Sequence, residues 1–423
     1  MPLRYKAPRG TADVLPQDQP YWRYVHETAA SLCQRFGYAA IETPVFEEVS
    51  LFIRGVGKAT DIVQKEMYVF KDKGGDTMAL RPEGTASVCR AYLQHGMSNL
   101  PQPVRLYYIA PIFRYDRPQA GRYRQHTQFG YEAIGEADAA VDAEAVEMAW
   151  RLYEDLGLTD LLLQLNSIGD ASCRPAYLEA LRAYYRPKLE RVCPDCQGRY
   201  RRNPLRLLDC KEERCQPVIA GAPPLTEHLC QPCADHLSSL RAYLDEISVP
   251  YEINPRLVHG LDYYTRTVFE VMPPEEGAQS TIGAGGRYDG LIEELGGRPT
   301  PGIGFATGIE RIILNLKRQE VPLPMPDAPL VFVAHQTAEA RITGYRLASQ
   351  LRQAGIAAMV ATGDRSLKAQ MRQADASGAR YAAIIGQREL AEGSAVLRRL
   401  EDGQQETLPL TDVARRLRPL DPG

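Results

Sequence analysis

The chain has 423 residues, 44% hydrophobic and 24% charged, with a net charge of −3. It is too long for a single core, so two or three domains are expected, and its charge excludes a protein that coats nucleic acid non-specifically. No apolar run is long enough to span a bilayer, and the opening "MPLRYKAPRGTADVLPQDQP" lacks the apolar stretch of a signal peptide, so a cytoplasmic location is expected.

In chain order, residues 19–36 carry Trp22, Val25, Ala29, Leu32, Cys33 and Phe36 at helical spacing, with Gly37 as the stop. "YAAIETPVFEEVSLF" reads as a short strand ending near Pro44. Residues 103–135 hold two β-rich runs around the polar loop "RPQAGRYR", which predicts a long-looped antiparallel hairpin. Alternation puts Gln128, Gly130 and Glu132 on one face of its second strand. That face either receives a small polar ligand against the bare backbone at the glycine or is a solvated face whose glycine relieves twist. Residues 138–156 read as a further helix.

Residues 171–250 form a different region, helical at its ends and rich in cysteine at its middle. Six of the nine cysteines lie between Cys193 and Cys233, and in a cytosolic chain such clustering points to metal before disulfides. The two C-x2-C hooks, Cys193 with Cys196 and Cys230 with Cys233, can supply four thiolates to a tetrahedral structural zinc. The 33 residues between the hooks exceed the usual ribbon spacing, and Cys210 and Cys215 compete as ligands, so zinc and buried free thiols stand as alternatives. A catalytic zinc is not expected, because no histidine completes an open site. The adjacent "GRYRRNPLR" is either a solvated charged turn or a contact for an RNA backbone.

"GAGGRYDG" and "GIGFATG" match no nucleotide-binding fingerprint and read as tight turns, the second running into a helix with Ile309, Ile312, Ile313 and Leu316 as its buried stripe. "RQEVPLPMPDAP", with four prolines in twelve residues, reads as a linker. Beyond it, strand and helix patterns alternate and predict a small α/β sheet with parallel crossovers. Residues 329–423 carry thirteen Lys and Arg against ten Asp and Glu, so the basic charge concentrates there.

Taken together, "IETPVFE", "TDIVQKEMYVF", "LRPEGTA", "FRYDRPQAGRYRQ", "GLDYYTRTVFEV", "GGRYDGL" and "GFATGIER", in that order, resemble the class II aminoacyl-tRNA synthetases and, through "GLDYY" and "RPQAGRYRQ", the histidyl-tRNA synthetases of bacterial type. The resemblance covers nearly the whole chain. It implies an α+β catalytic domain (1–170 and 251–320) built on an antiparallel sheet flanked by helices. It also implies an inserted helical, cysteine-containing domain (171–250), a linker (321–328) and an α/β anticodon-binding domain (329–423). It further implies a homodimer with the segment around Pro44 at the interface, and no membrane or DNA partner.

The implied activity is ATP-dependent ligation of L-histidine to tRNA(His) through histidyl-adenylate, with Mg2+ accompanying ATP. By motif, Glu83, Thr85 and Gln128 are expected at the α-amino group, and Glu132 at the imidazole, with Tyr263 and Tyr264 closing the pocket. Arg114 is expected at the α-phosphate, Arg311 along the ATP, Phe129 stacked on adenine and Asp116 near the nucleotide, while Arg117, Gln119, Arg122 and Arg124 belong to the loop that reads the acceptor end of the tRNA. A site for ATP and an amino acid needs both charges: carboxylates for the ammonium group, and guanidinium groups for phosphate. Arg81 and Arg287 join that basic set, and Asp262 the acidic one, with ordinary surface charge as the favoured reading for any single member.

One position departs from the family pattern Leu-Val-Arg-Gly-Leu-Asp-Tyr-Tyr: His259 stands where the family has the arginine that acts as the fixed cation for adenylation. A guanidinium is always charged, whereas a histidine is charged at neutral pH only if its pKa is raised. Either His259 keeps the role with lower strength, or magnesium covers part of it, or the chain is a regulatory paralogue that binds histidine but catalyses poorly.

Overall fold

A computed structural model describes residues 5–57, 60–116, 121–273, 281–324 and 331–417. The chain divides into two compact units, Met1–Leu323 and Pro324–Gly423.

The strands of the first unit are β1 (Ala39–Ala40), β2 (Phe46–Glu48), β3 (Val69–Lys71), β4 (Thr77–Leu80), β5 (Val104–Phe113), β6 (Gln125–Ile134), β7 (Leu162–Ser167), β8 (Glu252–Ile253), β9 (Thr265–Met272), β10 (Gly283–Arg287) and β11 (Gly302–Gly308). Eight of them form one sheet in the order β1-β5-β6-β11-β10-β9-β7-β8, and β2-β4-β3 form a small second sheet. The hairpin expected over 103–135 is present: β5 and β6 pair antiparallel from Val104↔Ile134 to Phe113↔Gln125. The strand expected up to Pro44 is shorter, because the chain leaves β1 after two residues and re-enters β structure at Phe46 in the other sheet.

The glycine-rich runs read as turns are strands β10 and β11, at the centre of the large sheet. Their side-chain-poor sequence hides a strand signal, and packing explains the composition. A Cβ on Gly285 would collide with the Phe269 ring and lie 2.5 Å from the Gly304 carbonyl oxygen. The space is taken instead by Phe269 and Phe305, stacked 5.9 Å apart.

One face of the sheet is covered by α1 (Gln19–Arg35), with α2 (Val49–Gly55) and α3 (Thr85–Gln94) elsewhere in the unit, and by α4 (Ala139–Asp155). Asp138 starts α4 by accepting a hydrogen bond from the Ala140 amide, 2.8 Å away, as a capping carboxylate should. Between β7 and β8 lie α5 (Arg174–Tyr185), α6 (Pro194–Arg202), α7 (Gln216–Ala220) and α8 (Gln231–Glu246); α9 (Leu291–Glu294) and α10 (Ile309–Arg318) follow. Val25, Ala29 and Leu32 of α1, Val146, Ala149 and Leu152 of α4, and Ile309, Ile312 and Leu316 of α10 pack on Phe129, Tyr131, Phe269 and Phe305 of the sheet. The opposite face carries Tyr108, Tyr263 and Tyr288 and faces the candidate site.

The second unit contains β12 (Val331–His335), α11 (Ala338–Gln353), β13 (Ala358–Val360), α12 (Leu367–Ala376), β14 (Tyr381–Ile385), α13 (Gln387–Glu392), β15 (Ser394–Arg399), β16 (Gln405–Pro409) and α14 (Val413–Leu417). Its sheet runs β13-β12-β14-β15-β16, with parallel pairing of β12 to β13 and β14 and an antiparallel hairpin at the end. Thr337 and Ser366 cap α11 and α12 through their hydroxyls. The proline-rich segment read as a linker falls partly outside the described residues, from Met325 onward.

Candidate active site

On the free face of the large sheet, a cleft of about 680 Å³ is lined by Gln128 of β6, Gly283 and Ala284 of β10, and Ala306 to Gly308 of β11. Its walls carry Arg114, Asp116, Arg122, His126, His259, Tyr264, Glu310 and Arg311. That volume suits a ligand of nucleotide size. A strand floor without bulky side chains lets such a ligand lie against the backbone.

One end of the cleft is strongly positive. Arg114 donates from Nε to the Pro82 carbonyl oxygen at 2.7 Å, which fixes its root. Arg311 is held by the Gly121 and Thr281 carbonyl oxygens. Burial lowers the pKa of Arg311, and the charges of Arg122 and Arg114 lower it further. His126, in the same wall, is pushed down to about 3 by burial and by the charges of Arg114 and Arg311. Several cations converging in a part-buried space form an anion site. Asp116 moderates it, pairing with Arg122 at 3.1 Å. Arg124 lies over the Tyr115 ring, 3.9 Å from its centre, while Arg117 and Gln119 lie outside the described residues.

Beside the cleft, on the same face of the sheet, lies a buried polar cluster. Glu132 is fully buried; its Oε1 accepts from the Thr85 hydroxyl at 2.8 Å and its Oε2 from the Tyr288 hydroxyl at 2.7 Å. Gly304 makes room for it, since a Cβ there would overlap the Glu132 carboxylate. Burial pushes the Glu132 pKa up to about 8, against the pull of the Tyr288 and Thr85 hydroxyls. Glu83 accepts from the Thr85 and Ala86 amides, each at 2.8 Å, at the start of α3. Burial raises its pKa, and those amides pull it back. Gln128 donates to the Tyr108 hydroxyl at 3.2 Å. Tyr263 is buried beside Tyr264, ring centres 4.7 Å apart, and Tyr264 reaches the cleft. The expected histidine-binding residues are therefore gathered, with Glu132, Glu83, Thr85 and Tyr263 forming the buried layer.

His259 sits at the junction of the two regions. Its Nδ1 is 3.2 Å from Glu270 Oε1 and its Nε2 is 2.9 Å from the Gly285 carbonyl oxygen. The Thr281 hydroxyl occupies the other Glu270 oxygen at 2.9 Å. Burial pulls the His259 pKa down, but the hydrogen bond and charge of Glu270, the Gly285 carbonyl and Asp209 leave it above the ordinary histidine value.

Three expectations need correction. Phe129 is fully buried on the helix-covered face among Tyr107 and Tyr131, so it does not reach the cleft to stack on adenine; strand alternation sends it opposite to Gln128. Arg287 and Arg81 are not phosphate ligands. Arg287 is fully buried on Asp142, and Arg81 donates to the Pro111 and Thr43 carbonyl oxygens at 2.8 Å. The four hook cysteines do not converge: Cys193 and Cys196 group with Cys210 and Cys215, while Cys230 and Cys233 group with Cys173 and Asp170.

Part of the basic segment is committed internally, while Arg201 and Arg202 are exposed. Arg206 donates to the Gly260 carbonyl oxygen at 2.9 Å, and Asn203 to Asp262 at 2.7 Å, so the turn supports the "GLDYY" loop. Sequence reading missed Glu270, Tyr288 and Glu310. Each adjoins or lies within a quoted motif, "TVFEV", "GGRYDGL" or "GIER", and that adjacency is the signal that could have found them.

The sequence profile described as "Histidyl-tRNA synthetase" matches residues 10–312, and that described as "Anticodon binding domain" matches residues 330–420. The histidine--tRNA ligase of Dehalococcoides mccartyi (strain ATCC BAA-2266) is 57% identical over 409 residues, covering 97% of this chain and 98% of that protein. The histidine--tRNA ligase of Desulforamulus reducens is 49% identical over 406 residues, covering 96% of this chain and 97% of that protein. The crystal structure of apo Staphylococcus aureus histidyl-tRNA synthetase superposes with a TM-score of 0.82 at 39% identity, covering 98% of this chain and 99% of that one.

Proposed function

The chain belongs to the histidyl-tRNA synthetase family, and from that premise we propose how its cleft divides the work of charging tRNA(His). The chain is an enzyme of ATP-dependent aminoacylation and not a regulatory paralogue. A carboxylate oxygen of histidine attacks the α-phosphorus of ATP, the bond to pyrophosphate breaks, and histidyl-adenylate forms. A terminal ribose hydroxyl of the tRNA then takes the histidyl group and AMP leaves.

The observation that carries the assignment is the juxtaposition of the Arg114, Arg122 and Arg311 cations with the buried Glu132 layer across one glycine-floored cleft. Arg114 holds the α-phosphate and Arg311 lies along the triphosphate, stabilising charge that builds as the carboxylate attacks. Glu132 accepts a hydrogen bond from the substrate imidazole, and Glu83, Thr85 and Gln128 take the ammonium group. A substrate without an imidazole N–H would bring no donor to the buried Glu132 carboxyl, whose other hydrogen-bond partners among the described residues are the Thr85 and Tyr288 hydroxyls, and that is the basis for rejection. His259 replaces the family arginine as the cation between the two regions. Arg122 and Arg124 serve the acceptor end of the tRNA.

Magnesium, when bound, neutralises triphosphate charge. Glu310 fits it: Oε1 accepts from the Thr127 amide at 2.8 Å, and Oε2 is buried with no hydrogen-bond partner among the described residues. We read residues 1–170 and 251–320 as the catalytic domain, 171–250 as its insert and 329–423 as the anticodon-binding domain. The homodimer reading is supported by an exposed apolar patch around Pro44, where Val45, Phe46, Val69 and Phe70 face solvent and the Phe46 and Phe70 rings meet at 6.1 Å. No helix among the described residues is long and apolar enough to cross a membrane, and a cytoplasmic location accords with the activity.

Histidine-dependent exchange of pyrophosphate into ATP, followed by transfer of labelled histidine to tRNA(His), tests the reading. Exchange without histidine dependence would overturn the pocket assignment. Exchange without transfer would overturn the tRNA half.

A further inference from the structure

Seven of the nine cysteines collect in two groups inside or beside the inserted region. In the first, Cys193 and Cys210 sulfurs are 3.8 Å apart and Cys196 and Cys215 sulfurs 4.0 Å apart, and all four sulfurs lie within 4.8 Å of one another. In the second, Cys173 and Cys233 sulfurs are 3.9 Å apart, and Asp170 Oδ1 lies 3.7 Å from Cys173 and 3.8 Å from Cys230. All these cysteines are free.

The spacing is that of ligands around an ion. A tetrahedral zinc with bonds of about 2.3 Å to sulfur has ligand-to-ligand edges of roughly 3.8 Å. A thiol is only a weak hydrogen-bond donor, so four of them have little reason to converge without a cation. Backbone amides are already aimed at the sulfurs: Cys196 N–H donates to Cys193 at 3.4 Å, Cys193 N–H to Cys215 at 3.2 Å, and Asp170 N–H to Cys173 at 3.4 Å. Such bonds stabilise thiolates. In the second group Arg266 holds Asp170 Oδ2 at 3.4 Å, which leaves Oδ1 turned toward the sulfurs. Orientation of a ligand by an outer partner is the usual construction of a metal site.

We propose that the chain holds two structural zinc ions, one on Cys193, Cys196, Cys210 and Cys215, the other on Asp170, Cys173, Cys230 and Cys233. Each does a distinct job. The insert is built of short helices and single turns, a scaffold that profits from a metal staple. The first zinc fixes α6 and the turn after it, whose Asn203 and Arg206 support the loop carrying His259, Tyr263 and Tyr264; Cys193 and Cys210 themselves line the cleft. The second zinc joins the two ends of the insert, Asp170 and Cys173 at its entry and Cys230 and Cys233 at the start of α8, beside Arg266 of β9. The inference stands on ligand geometry and is independent of the roles proposed for the cleft.

Elemental analysis of the untagged full-length chain tests it. Two zinc ions per chain are expected, falling to one in Cys196→Ser and to one in Cys233→Ser. Cobalt substitution of the parent needs no variant and is expected to give tetrahedral bands with thiolate charge transfer from two distinguishable sites. One zinc in the parent would overturn the two-site division, and none, or iron in its place, would overturn the assignment outright. Two zinc ions retained in Cys233→Ser would overturn the second ligand set.

Discussion

Glu270 and His259 form a part-buried pair at the cleft, with Oε1 3.2 Å from Nδ1, while the other ring nitrogen faces the Gly285 carbonyl oxygen. A carbonyl only accepts, and a neutral imidazole carries one N–H, so both contacts are filled together only when the ring is an imidazolium. The groups that face the ring are Glu270, the Gly285 carbonyl, the Tyr264 ring at 4.8 Å and, further off, Asp209. The pair therefore lets a histidine keep the charge that an arginine would carry.

A pH dependence follows. The His259 pKa is raised, so the cation is present at low and neutral pH and is lost as pH rises through the raised value. Pyrophosphate exchange should be level on the acid side of that point and decline above it. His259→Arg should abolish the decline, because a guanidinium does not titrate in this range. Glu270→Gln should move it to lower pH, because the carboxylate charge that most opposes burial is then gone and only the Gly285 carbonyl and Asp209 still favour the imidazolium. Superimposable pH profiles for the parent and His259→Arg would show that the imidazole charge plays no part.

Glu132 should govern histidine affinity. Removing a buried hydrogen-bonding partner costs about 1–3 kcal/mol, or more when charge is involved, so Glu132→Gln should weaken histidine binding roughly 10- to 100-fold and Glu132→Ala further. Calorimetry with histidine alone reads this directly, and unchanged affinity would refute the assignment. Stability carries a second signature. The carboxyl titrates at 4.5 when exposed and at about 8 when folded, so the unfolded chain releases its proton first and folding is progressively opposed as pH rises between those values. Glu132→Gln removes that opposition, and its melting temperature relative to the parent should improve across the same interval.

Arg114 should matter to chemistry more than to histidine binding. It lines the positive end of the cleft and makes no hydrogen bond to Glu132, whose partners are Thr85 and Tyr288. Loss of one preorganised donor to a developing charge typically lowers rate by about 10²- to 10³-fold, and Arg114→Ala should lose exchange by that factor with histidine affinity retained. Exchange at the parental rate would refute a phosphate role.

Periodicity in the sequence was enough to find the β5–β6 hairpin and the shared face of Gln128, Gly130 and Glu132, because a two-residue period is a local property. The same period sends Phe129 to the opposite face, which a motif read without its geometry ignores. The central strands β10 and β11 were missed because glycine carries no hydrophobic signal; the space over their glycines is filled by Phe269 of β9 and Glu132 of β6 together with Phe305 of β11 itself. The cysteine partition was equally hidden. Spacing alone cannot say that Asp170 and Cys233, distant in sequence, share a cluster while Cys196 and Cys230 do not. Glu270 resembles any solvated strand carboxylate until the fold sets His259 against it.

Arg287 offers the clearest separation of structural from catalytic charge. Read beside glycines, it looks like a phosphate ligand, yet it is fully buried. Its Nε lies 3.0 Å from Asp142 Oδ1, and its Nη1 lies 3.0 Å from both the Glu136 carbonyl and Asp289. Asp142 is in turn held by His236 at 2.8 Å and by the Thr267 hydroxyl. Burial alone would raise the Asp142 pKa, but His236 and Arg287 bring it below the ordinary carboxylate value. The network ties α4 and α8 to β9 and β10. Removing one partner leaves the other charge buried and uncompensated, at a cost of roughly 3–5 kcal/mol. Arg287→Met should therefore lower the urea midpoint of the first unit by that much stability, while the folded fraction binds ATP with parental affinity. A loss below about 1 kcal/mol, within what an exposed ion pair is worth, or a selective loss of ATP binding, would return Arg287 to the catalytic set.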